Sequence, residues 1–151
     1  MPDTPLGVRV LSKFESVTHP QLILPVRLST YSLDLSDGAP AKTIQTFALV
    51  DTGASKTCVC ARLLDQLGCE RYTLRKQRGV TDTRDVYQRY ASLAMLDEDK
   101  VVFAEFSDIE VIEYNTFQDD HYKILLGMDL LGQFSMIQIK GFEISFGALL
   151  V

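Results

Sequence analysis

The sequence predicts an all-β fold, a closed or nearly closed barrel with two short helices. Three observations lead there. Short alternations of apolar and polar residues recur along the chain, the period of half-buried strands. Clusters of Gly, Pro, Asp and Asn cut these alternations apart at short intervals. Helical patterning is confined to 59–67 and 130–134, both brief. Many short strands with two minor helices favour a barrel over a layered α/β design.

The elements follow in order. Residues 1–20 form an N-terminal arm or an early strand at Val8–Leu11, and 21–151 form the main domain. Leu22, Leu24, Val26 and Leu28 alternate, and Pro25 among them marks an edge or a strand start. Turn chemistry at 36–42 leads to a return strand, Thr43–Val50. Asp51-Thr52-Gly53-Ala54-Ser55 breaks that strand, and the helix at 59–67 ends at Gly68. Two strands follow, the basic segment 71–78 and the segment 86–96, joined near Gly79. A turn at 97–100 precedes a long strand at 101–114 and a polar loop at 115–123. Ile124–Leu126 is a short buried strand. Gly127-Met128-Asp129 breaks it, with Asp129 placed to cap the second helix. A hairpin turning at Lys140-Gly141 closes the chain.

Composition excludes several function classes. A length of 151 residues suits one domain with a real core. The net charge of -5 argues against nucleic acid as a partner. No stretch is apolar enough to span a membrane, and residues 1–17 lack the apolar run of a signal peptide. The cysteines, Cys58, Cys60 and Cys69, are odd in number and clustered, so reduced thiols in a cytoplasmic setting are expected.

The chemistry concentrates at Asp51-Thr52-Gly53, which follows the apolar run Phe47-Ala48-Leu49-Val50. A carboxylate at the end of a core strand is costly unless it is paired or shares a proton. Two carboxylates sharing one proton hydrolyse a peptide bond, one as base towards water and the other as acid towards the carbonyl. The sequence holds one such motif, so an identical copy from a two-fold partner is the simplest source of the second acid.

The run FALVDTGAS, an apolar helix and the later ILLGMDLL together resemble the retropepsin family of single-lobe aspartic proteases, over roughly residues 21–146. The resemblance implies a barrel of the acid-protease type and a homodimer with the active site at the subunit interface. It implies Asp51 as the catalytic residue of each subunit, Thr52 in hydroxyl contacts between the two loops, and Gly53 and Ala54 lining the loop. It also implies a flap built around Gly79, Val80, Thr81, Asp82 and Thr83, closing over an extended peptide or protein substrate, with no metal or other cofactor. The flap departs from the family in having one glycine and an aspartate at its tip. Ala54 offers no hydroxyl to the acid pair, which predicts activity in mild acid.

The same fold without catalysis, as a dimerisation or peptide-binding module, is the alternative. Asp129 reads as a structural residue, a cap or a partner of Arg62, and not as the second catalytic acid. Cys58 and Cys60 are spaced wrongly for a zinc pair, and His121 beside Asp119 and Asp120 reads as a solvated loop. The basic run Arg71, Arg75, Lys76 and Arg78 reads as a solvated strand or as a bias of the cleft towards acidic peptides. The apolar end, 146–151, is expected at the dimer interface.

Overall fold

The computed structural model describes residues 8–11, 22–78, 83–115, 121–140 and 143–150. The strands are β1 (Val8–Leu11), β2 (Ile23–Thr30), β3 (Thr43–Val50), β4 (Cys58–Cys60), β5 (Thr73–Arg78), β6 (Thr83–Leu96), β7 (Val102–Tyr114), β8 (Ile124–Leu126), β9 (Ile137–Lys140) and β10 (Glu143–Phe146). The helices are α1 (Ala61–Gln66) and α2 (Met128–Leu131). Strands β2, β3, β8, β4, β7 and β6 pair in that order, and β6 pairs back to β2, so six strands close a barrel. A separate sheet runs β1-β10-β9 and joins the first described strand to the last.

The barrel follows from side-chain alternation. In β2, Leu24, Val26, Leu28 and Thr30 are buried and the residues between them are not. They meet Ala48 and Val50 of β3, Leu93 and Met95 of β6, and Ile124 and Leu126 of β8 in one core. Pro25 is tolerated because β6 pairs with β2 only from Val26 onward, leaving Pro25 a strand neighbour on one side, β3. Phe103, Phe134 and Phe146 pack their rings together and join the second sheet to the core.

Strand β6 serves two structures. Its first part, Thr83 to Gln88, pairs with β5 as a hairpin. Its later part, Ala91 to Met95, pairs with β2 in the barrel. Strand β7 lies alongside from Gln88 onward. Between Ala91 and Leu93 the β6–β7 register slips. There Asp108 adopts φ 51° and accepts hydrogen bonds from the Ser32 amide and hydroxyl. These bonds hold the Asp108 carboxyl below the usual carboxylate range, with the Ser32 hydroxyl first among the causes.

The hairpin is anchored at its base by buried charge and stacked rings. Arg89 and Glu113 are 2% and 3% exposed and face each other at 3.4 Å. Arg89 also bonds Asp65 at 2.7 Å and the Cys69 carbonyl. Arg71 reaches Glu113 at 3.2 Å and lies over the Tyr87 ring. Tyr31, Tyr72 and Tyr90 cluster nearby, and the Tyr72 hydroxyl donates to Asp34.

Two expectations about the helices are corrected. The segment 59–67 is not all helix: Cys58–Cys60 is a strand, and α1 begins at Ala61. The thiols of Cys58 and Cys60 therefore lie two apart on a strand, and none of the three cysteines is in a disulfide. No group of three His, Cys, Asp or Glu suited to a metal occurs among the described residues. The second helix is Met128–Leu131, with Gly127 as its cap, so Asp129 lies inside it. Phe146 is buried within the chain and Leu149 pairs with Phe134, while Met136, Ile139 and Leu150 are the apolar groups left exposed near this end. Among the described residues no helix is long and apolar enough to cross a membrane.

Three outcomes are expected. Arg89→Met should destabilise the fold by about 3–5 kcal/mol in urea unfolding, because Asp65 and Glu113 lose a buried partner. Arg71→Met, at the solvent edge, should cost about 1 kcal/mol. The Tyr72 hydroxyl is pushed up to about 12, first by its bond to Asp34. A raised acid contributes stability that is complete below its unfolded value near 10.0 and lost as pH climbs towards about 12. Ultraviolet titration of Asp34→Asn should show one tyrosine ionising at lower pH than in wild type.

Candidate active site

Strands β3 and β8 are parallel, with Val50 beside Leu126. The two strand breaks, Asp51 and Gly127, therefore emerge side by side from the barrel. The Asp51 amide donates to the Leu126 carbonyl at 3.0 Å, which fixes where the first break leaves the sheet. The chain then turns tightly. Ala54 N–H donates to the Asp51 carbonyl at 3.2 Å, and Gly53 N–H donates to Asp51 Oδ1 at 3.0 Å. The second bond holds the carboxylate over its own turn. A Cβ on residue 53 would stand 3.3 Å from that carboxylate oxygen, a tight contact that glycine avoids.

The loop is held from behind by the segment after β8. Met128 N–H donates to the Ala54 carbonyl at 2.8 Å, and Asp129 N–H to the Ser55 carbonyl at 3.2 Å. Thr57, wholly buried, is the link. Its hydroxyl donates to Asp129 Oδ1 at 2.8 Å and accepts from Gly127 N–H at 3.2 Å. Its amide donates to Asp129 Oδ2 at 3.1 Å. Gly127 packs so closely that a Cβ there would meet the Lys56 carbonyl carbon at 2.5 Å. Only glycine allows that approach without backbone movement.

Asp51, Thr52, Gly53 and Ala54 are thus one loop, as expected from their order. Thr52 and Gly53 are exposed on the single chain, while Asp51 and Ala54 are half-buried. Asp129 is structural, but through Thr57 and not Arg62. Thr83 begins β6. The rest of the hairpin tip, Gly79, Val80, Thr81 and Asp82, lies outside the described residues, as do Asp119 and Asp120. Sequence reasoning missed Thr57 and the role of Gly127. The available signal was a glycine directly after a buried strand and a threonine six residues beyond the acid.

The model of the family described as gag-polyprotein putative aspartyl protease matches residues 42–133. That span contains Asp51, Thr57, the β5–β6 hairpin, Gly127 and Asp129. The fold is similar to the crystal structure of a retropepsin-like aspartic protease from Rickettsia conorii. The TM-score is 0.59 at 16% identity, over 98% of this chain and 95% of that one, a likeness of fold. No curated protein matches in sequence.

Thr57→Val keeps the shape of the side chain and removes its hydroxyl. It leaves the Gly127 amide without its acceptor and takes one of two donors from Asp129 Oδ1, which keeps the Leu130 amide. A loss of about 2–3 kcal/mol is expected in urea unfolding, with unchanged cooperativity.

Proposed function

The chain belongs to the gag-polyprotein aspartyl protease family, retropepsin-like in fold, and we propose that it is an aspartic endopeptidase active as a homodimer. The observation that carries this reading is Asp51 itself. It stands on a loop locked from behind by buried hydrogen bonds, yet Thr52 and Gly53 beside it are open to solvent. A loop so firmly positioned and so exposed suits a face that a second copy covers. Asp129, the other acid of this region, gives both carboxylate oxygens to Thr57, so it is not free to act as a second acid. A two-fold copy brings a second Asp51 into the same environment.

In this mechanism the two carboxylates share one proton and hold a water between them. The ionised one takes a proton from water as the oxygen attacks the peptide carbonyl. The protonated one gives its proton to the carbonyl oxygen, forming a neutral tetrahedral diol. Proton transfer to the amide nitrogen then breaks the C–N bond and releases an acid and an amine. The two carboxylates activate the water by themselves in this mechanism, which draws on neither a metal nor an organic cofactor. The Gly53 amide keeps the Asp51 carboxylate in place throughout. The substrate lies extended beneath the hairpin tips of both subunits, Gly79 to Thr83, which act as flaps and add its backbone to their edges. Activity is expected in mild acid, because Ala54 supplies no hydroxyl to the carboxylate pair.

A peptide library incubated with wild type and with Asp51→Asn, and read by mass spectrometry from strong acid to neutrality, tests this. Wild type should cut, and the variant should lose about three orders of magnitude or more in rate. Specific activity should also rise with protein concentration until the dimer saturates. Absence of cuts at every pH, from a protein shown to be dimeric, would instead favour a peptide-binding module on the same fold.

A further inference from the structure

A cavity of about 310 Å³ opens between the loop after Asp51 and the base of the β5–β6 hairpin. Ser55 and Lys56 form one side, Arg75, Lys76 and Val86 the other, and Glu110 and Ile112 of β7 also line it. The cavity is built on fixed parts. The Ser55 carbonyl is held by the Asp129 amide, and Gly127 packs on the Lys56 backbone. A selective contact needs that rigidity.

Its charge runs against that of the chain. The protein carries a net charge of -5, yet three cations line this cavity beside one acid. Their commitments differ. Arg75 donates to Gln88 at 2.5 Å and stands 3.6 Å from Glu110. Lys76 stands opposite Asp85 in the β5–β6 register, with that acid as its cross-strand neighbour. Lys56 has no acidic partner among the described residues. Glu110 Oε1 is buried without a hydrogen bond among them, so the acid serves as a counter-charge to Arg75. The uncompensated charge is that of Lys56, beside the apolar walls of Val86 and Ile112.

We propose that this cavity is a substrate subsite for an acidic side chain, glutamate above all, with Lys56 as its charged partner. The two methylenes of glutamate lie against Val86 and Ile112, and its carboxylate meets the Lys56 ammonium. Arg75, steadied by Gln88 and Glu110, adds a second positive group. The proposal rests on the reading of Asp51 as the catalytic centre of a two-fold pair. Under that symmetry each subunit carries one such cavity, so the acid preference falls on both sides of the scissile bond. An extended peptide advances about 3.3 Å per residue, which sets the favoured positions a few residues from the cut.

The test uses synthetic peptides carrying Glu, Gln or Lys in turn at each position around the cut. Cleavage is measured with wild type and Lys56→Glu. Binding of the same peptides is measured by fluorescence anisotropy with Asp51→Asn and with Asp51→Asn/Lys56→Glu. The expected result is a preference for Glu over Gln of about tenfold in kcat/KM and in Kd at one position on each side. It shrinks in about 1 M salt and turns into a preference for Lys when Lys56 becomes Glu. A Glu-to-Gln ratio near unity at every position overturns the proposal, as does a preference that Lys56→Glu leaves intact. Binding to Asp51→Asn requires no catalysis. Missing cleavage with a retained Glu preference in binding therefore defeats the enzyme reading alone, and failure of every peptide to bind defeats both.

Discussion

One hydroxyl ties the two halves of the candidate site together. Thr57 sits fully buried between the loop that carries Asp51 and the break that follows β8. It accepts from Gly127 and donates to Asp129, so neither segment moves without breaking a bond that water does not replace. The parallel pairing of β3 with β8 brings the two breaks together, and Thr57 keeps them in register. Gly127 completes the arrangement by letting backbone touch backbone. The Asp51 carboxylate inherits its position from this clamp, with the Gly53 amide making the last adjustment.

A second group of polar contacts supports the other side of the cleft. Arg89 and Glu113 are buried charges, and such pairs confer definition more than stability. Here they fix where β6 passes from the hairpin with β5 into the barrel. The tyrosine cluster does the same from the opposite face, through Tyr72 and Asp34. The hairpin base is therefore as firmly set as the Asp51 loop, and side chains from both line one cavity.

Much of this was legible in the sequence. The apolar run before Asp51 and the glycine after it announce a strand that ends in a tight turn, and Thr43–Val50 has the expected bounds. The alternation of Leu24, Val26 and Leu28 marks the inner face of β2. The strand Cys58–Cys60 was not legible, because three residues before a helix carry too little periodicity to be separated from it. Asp129 was read correctly as structural, but its partner is a threonine 72 residues away in the chain, which local capping rules do not reach. The basic run at 71–78 looked uniform. Folding gives its members different tasks: Arg71 goes to Glu113, Arg75 to Gln88 and Glu110, and Lys76 to the rim of a cavity. Lys56 carried no signal at all, since its importance comes from which strands close around it.

Strand β6 is a cantilever. Over Ala91–Met95 it is clamped by neighbours on both edges, and beyond Gln88 towards Thr83 the described pairing is with β5 alone. Mechanical stiffness must fall along its length, with the pivot near Gln88 and Tyr90, where Gln88 bonds both Arg75 and Tyr90. One continuous strand thus joins a part held along both edges to a part held along one.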